Sequence, residues 1–186
     1  MSILVEINPL EEVLKTINIP NKTGLLWDQI ETFKQQILGI ENAVGPHKAG
    51  TPQEEDLKEL LPLKQHLEGG LYTRELFMPK TCFLVSMIHK QKHPTFLVKG
   101  EISYLTDDGK IARIKAPHSI FTKEGAQRIL YIHEDSILIC VFKTNAKTFL
   151  EAEADVFVDN YRELPKEILK EKTEQLLILK QDKELC

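Results

Sequence analysis

From Leu71 onward the chain changes period. Short apolar stretches with β-branched and aromatic residues recur between turn residues: YTRELF before Pro79-Lys80, then TCFLVSMIH, TFLVK before Gly100, EISYLT, IARI, SIFT, QRILYIH and SILICVF. Such stretches at a spacing of roughly 8–12 residues indicate an antiparallel sandwich or barrel rather than a parallel sheet. TDDGK, between EISYLT and IARI, reads as a hairpin turn in which Gly109 tolerates the positive φ required. The strands define a β-core over 71–146.

The flanks read as helix. From Leu25, Leu26, Ile30, Phe33 and Ile37 recur at helical spacing, with Trp27 beside them and Gly39 where the helix should stop. A turn-rich linker, Gly45–Pro52, follows. Thr51, Pro52 and Glu54 then form a capping-box pattern. The helix expected over 52–67 carries Leu57, Leu60, Leu61 and Leu63 and ends before Gly69-Gly70. After the core, Leu164-Pro165 opens another helix, with Ile168, Leu169, Leu176 and Leu179 on one stripe. The expected organisation is a two-helix N-terminal arm over 1–70, the β-core over 71–146 and a C-terminal strand/helix extension over 147–186.

Composition narrows the function. At 186 residues the chain is one domain with appendages. Its 24 Lys+Arg and 28 Asp+Glu are interspersed with a net charge of -4, so nucleic acid is not expected as the primary partner. The longest apolar run, Ile137 to Phe142, is far short of the ~20 residues that span a bilayer, and no membrane partner is expected. The first 20 residues include Glu6, Glu11 and Glu12 and no basic leader, so synthesis in the cytoplasm is expected. Cys82 and Cys140 lie in apolar segments and read as small buried hydrophobes, whereas Cys186 reads as an exposed thiol. Without a CxxC pair, neither a disulfide framework nor a zinc ribbon is implied.

Phosphate-binding glycine loops, a GxSxG elbow and HExxH are all absent. Histidine remains. His89 and His93 flank the Lys90-Gln91-Lys92 turn, and His118 and His133 lie elsewhere in the β-zone.

The run GGLYTRELFMPK…IHK…H…KGEISYLTDDGKIARIKAP…EGAQR…YIHEDS resembles the cupin-like proteins of tailed bacteriophages. The resemblance implies an antiparallel β-barrel or jelly roll with helical segments on both sides. It also implies a metal-ligand set on two motifs. Anchored on Gly100 and Gly125, those positions fall on Met87, His89, His93 and Arg128. Methionine is a poor ligand for hard divalent metals and arginine is a permanent cation, so only His89 and His93 could bind unless His118 or His133 joins them. Inside a barrel Arg128 must be paired or face an anion, with Glu75 and Glu101 as candidate partners. Met87 and Arg128 are candidate pocket residues.

The first reading is therefore a non-catalytic component of a virion, made in the host cytoplasm. It would hold other virion proteins through its arms, self-associate and need no cofactor. The alternative is a metal-dependent cupin enzyme or a small-ligand-binding cupin built on His89 and His93. A regulatory or sugar-binding domain would need an aromatic pocket, for which Tyr72, Tyr104, Phe96 and Phe121 are available.

Overall fold

A computed structural model describes residues 8–16, 34–36, 38–39, 43–45, 57, 59–106 and 111–171. The fold is mainly β, a curled sheet in which all strand pairs but one, the parallel pair of 43–44 with 83–84, are antiparallel among the described residues. Its ten described strands are β1 (Ala43–Val44), β2 (Leu63–Glu68), β3 (Leu71–Met78), β4 (Phe83–Val85), β5 (Ile88–His89), β6 (His93–Leu105), β7 (Ile111–Lys115), β8 (His118–Thr122), β9 (Ile129–Lys143) and β10 (Phe157–Val158). Two helices are α1 (Pro9–Thr16) and α2 (Phe149–Val156).

Strand β9 organises the sheet. It pairs antiparallel with β3, β4 and β6, from Leu71↔Lys143 at one end to Val85↔Ile129 at the other. Strand β6 bends, its first half pairing β8 and its second half β7. The bend falls at Gly100, where φ is +85° and the register against β9 shifts. A Cβ there would meet Ser136 Oγ at 2.2 Å and the Asp135 carbonyl oxygen at 2.7 Å, so glycine is what allows the sheet to curl onto itself.

The helix expected over 52–67 is corrected beyond Pro62. Residues 63–68 are strand β2, paired with β3 from Leu63↔Leu76 to Glu68↔Leu71. Leu63, Gln65 and Leu67 are half-buried while Lys64, His66 and Glu68 are exposed, a period of two that no helix supports. Gly69 and Gly70, both at positive φ, close the hairpin. The sheet thus begins before Leu71. Only fragments of the Leu26–Ile37 helix are described: 34–36 are helical and Gly39 forms a turn. Trp27, Phe33, Ile37 and the DDG turn lie outside the described residues.

The described flanks dock on the barrel itself. Leu10 of α1 is fully buried with Phe83, Val85 and Ile129. Thr148 caps α2 through a capping box with Glu151, and Ala152 and Val156 bury against Tyr72, Met87 and Phe142. Strand β10 then pairs with β5, Phe157 opposite His89. Ile168, in the helical stretch opening at residue 166, packs on Ile88, Val158 and Tyr161. Phe149 and Leu150 of α2 remain exposed. Among the described residues no helix is long and apolar enough to cross a membrane.

Candidate functional site

The curl of the sheet leaves a cavity of about 100 Å³. Leu76, Leu84, Leu97, Ile102, Leu130 and Leu138 supply apolar wall, and Arg74, Ser86, His89, Thr95, Thr122 and Arg128 supply polar groups. An apolar chamber with a few polar side chains is how small-molecule sites are commonly built.

Three of the four expected positions meet here. Met87, His89 and Arg128 line the cavity, and His93 is buried beside His89 with the two rings stacked at 4.6 Å between centroids. His118 also lines the cavity although it is exposed, whereas His133 bonds Ser103 Oγ at 2.8 Å. Phe157 closes on His89 edge to face at 5.1 Å, and Phe142 packs at 4.1 Å from His93.

Both histidines are held neutral. Burial pushes His89 well below the usual imidazole range, and His93, Arg74 and Arg128 push it further. Burial also lowers His93; the Gln91 carbonyl opposes this and Arg128 adds to it. The Gln91 oxygen lies 3.0 Å from His93 Nδ1 and can only accept, so in the neutral ring Nδ1 carries the proton. His93 Nε2 and His89 Nδ1 are buried with no hydrogen-bond partner.

Arg128 is anchored by β4's neighbour Ser86. Its N–H donates to Ser86 Oγ at 2.8 Å and its carbonyl accepts from the Ser86 N–H at 2.8 Å. Its guanidinium lies 5.3 Å from the centre of the Tyr104 ring. The expected pairing with Glu75 or Glu101 is corrected. Glu75 accepts from Lys64 at 2.9 Å, and Glu101 holds Arg113 and Lys115, so both carboxylates are engaged elsewhere. Alternation explains Glu75: beside buried Arg74, it points to the opposite side of β3.

Sequence reasoning missed Arg74, Thr95, Thr122 and Phe157. Arg74 was readable, since it shares parity with buried Tyr72 on β3. Its guanidinium binds Glu153 of α2 and lies 5.0 Å from the Phe157 ring centre. Thr95 and Thr122 share a hydrogen bond of 2.9 Å across the wall, and Cys140 lies 3.7 Å from Thr95 Oγ1. Burial raises the Cys140 thiol, which makes it a poor nucleophile at neutral pH.

A divalent metal, which the resemblance implies, does not fit these residues. Among the described residues no group of three His, Cys, Asp or Glu could hold one. Imidazole lone pairs lie in the ring plane, and the planes of His89 and His93 are stacked at 29°, so they do not converge on one ion.

No known family profile matches this chain, and no curated protein matches it. Among solved structures it is similar to an acetylacetone dioxygenase from Acinetobacter johnsonii, at 17% identity over 45% of this chain and 59% of that one, TM-score 0.39. It is also similar to a cupin 2 domain-containing protein from Halorhodospira halophila (11% identity, 54% and 72% covered, TM-score 0.40). A third is a hydroxypropylphosphonic acid epoxidase from S. wedmorenis (14%, 45% and 50%, TM-score 0.38). The chain spans about three fifths of the dioxygenase's length. The likeness reaches no further than the fold. Two of these three are enzymes by name, which runs against the expectation that this chain is not an enzyme. The bacteriophage part of the resemblance has no counterpart among them.

Proposed function

We propose that the protein binds a small organic molecule inside the barrel, using His89 as the polar contact and the leucine-rich wall as the apolar one. One observation carries this reading: the centre of the barrel is left as a cavity walled by His89 and Arg128 instead of being filled by side chains. Protein cores ordinarily pack without such voids, and buried polar groups ordinarily find partners. Here His89 Nδ1 and, one ring away, His93 Nε2 have none within the protein. His89, kept uncharged by its surroundings, can meet a bound molecule at Nδ1 as a donor or as an acceptor, according to its tautomer. His93 and Phe157 fix the orientation of its ring.

Saturation-transfer NMR with isovaleramide, a short branched neutral probe, tests the reading. Transfer to the probe is expected in the wild type and should vanish in Leu97→Trp, which fills the chamber. Absence of transfer in the wild type both to this probe and to its carboxylate analogue isovalerate, or unchanged transfer in Leu97→Trp, would refute a ligand site in the barrel.

A further inference from the structure

We propose that a second copy of this chain packs on the outer face of the sheet, about a two-fold axis parallel to the strands. The reason begins with β9. Residues 137–142, Ile-Leu-Ile-Cys-Val-Phe, are apolar without alternation, so the strand is apolar on both of its faces. Leu138 and Cys140 line the cavity, which sends Ile137, Ile139 and Val141 outward. Register carries this outer face onto the neighbouring strands, with Ile139 opposite Phe96 on β6 and Ile137 opposite Phe77 on β3. On β8, Phe121 lies between the cavity-lining Ile120 and Thr122 and so shares the same face. Phe96, Val98 and Phe121 are 38%, 47% and 66% exposed. Single exposed apolar side chains are ordinary, whereas an apolar face running over β8, β6, β9 and β3 marks an interaction surface.

Size and charge point to a second copy as the occupant. Strands about 4.8 Å apart, taken four wide and about five residues long, give a face roughly 20 Å on a side, on the order of 500 Å² of accessible surface. Two copies together would bury about 1,000 Å², where specific interfaces begin, which suits a dimer of roughly micromolar affinity. Charges keep to the margins of the face. Lys92 stands at the β8 edge, 5.5 Å from the centre of the Phe121 ring, and Lys143 ends β9. Across the sheet, Glu75 points outward between the cavity-lining Arg74 and Leu76, and Lys64 and Glu68 share its face on β2. A two-fold axis along the strands lays the β8 edge of one copy over the β2–β3 edge of the other. Lys92 then meets a margin that carries two acids and one base. An axis across the strands would instead bring the two Lys92 side chains to one edge.

Sedimentation velocity of the full chain over about 1–200 µM tests the proposal. Wild type should pass from monomer to dimer across that range. Phe96→Glu/Phe121→Glu should stay monomeric at the top of it while keeping the wild-type circular dichroism. Lys92→Glu should weaken association by on the order of tenfold, since the two-fold repeats the contact. Lys92→Glu/Glu68→Lys, which exchanges the charges of the two margins, should recover most of that loss. Wild type that remains monomeric throughout would overturn the proposal and leave the face to another part of this chain or to a different protein. Dimers that survive Phe96→Glu/Phe121→Glu would overturn it as well, by placing the contact elsewhere. Should that variant not fold, the exposed Lys92 decides: association of Lys92→Glu as tight as wild type would overturn the arrangement.

Discussion

Arg74 and Glu153 form an ion pair whose side chains are only 9% and 4% exposed, joining strand β3 to helix α2 across 79 positions of the chain. The Tyr72 hydroxyl lies 3.2 Å from the same carboxylate oxygen, and burial, more than any charge nearby, raises its pKa. A buried pair repays its desolvation only while both partners are present. Glu153→Leu should therefore cost about 3–5 kcal/mol, and Arg74→Met/Glu153→Leu should recover most of that loss. Urea denaturation of the three proteins measures both effects. A single variant as stable as wild type would show that the pair does not hold α2 to the barrel.

Acid should weaken the fold through the two buried histidines. The folded chain holds His89 and His93 below the imidazole range, for both chiefly by burial. Their unfolded counterparts titrate near 6.5. Below that pH the unfolded state binds protons that the folded state refuses, so stability falls as pH drops through about 6.5 and on toward the folded values. The slope approaches about 1.4 kcal/mol per pH unit for each histidine. Above that window the two rings contribute no pH dependence. Denaturation midpoints across the range should show this, with His89→Phe flattening the curve. Glu101, held down mainly by Arg113 and then Lys115, belongs to a separate, more acidic window.

Gly100→Ala tests the bend of β6. Its φ of +85° is poor for any L side chain, and the added methyl would press on Ser136 and the Asp135 carbonyl. A loss of at least about 1–3 kcal/mol is expected. Thermal unfolding reads it directly, and an unchanged midpoint would show that the strand can straighten without cost.

The cavity wall should leave a divalent metal unheld in the wild type and hold one once more imidazoles are supplied. Purified wild type should carry substoichiometric Fe, Mn, Ni and Zn by inductively coupled plasma mass spectrometry. Met87→His/Arg128→His removes the Arg128 guanidinium and adds two imidazoles to those of His89 and His118 on the cavity wall, so it should gain nickel or zinc. Stoichiometric metal in wild type that disappears in His89→Ala would show that the stacked rings open to coordinate.

Much of this architecture was legible from local pattern. The period-two stretches after Leu71 became β3, β4, β6, β7, β8 and β9. Segment 63–68 was harder, because Leu57, Leu60, Leu61 and Leu63 satisfy a helical stripe while Leu63, Gln65 and Leu67 satisfy a strand. Pro62 and the hairpin partner β3 decide the matter. Helix α2 had a visible signal in Thr148 and Glu151, the two ends of its capping box. The site divides along the same line. Met87 and His89 share a parity, whereas the turn at 90–92 breaks the count before His93, and nothing local says that the two rings stack.

By itself, then, the sequence determined what each segment could become: which stretches alternate, where glycine permits a turn or a bend, and which ionisable residues fall on the inward side of a strand. Those properties depend on backbone sterics and on neighbours a few positions away. Only the tertiary structure decided that Arg74 would meet Glu153, that Glu75 and Glu101 would turn to lysines and Arg113, and that Arg128 would lie against Tyr104 on the wall of a cavity. Each of those contacts depends on the register of β9 against β3 and β6 and on the bend at Gly100. These bring together residues tens of positions apart, and no local periodicity encodes such distances.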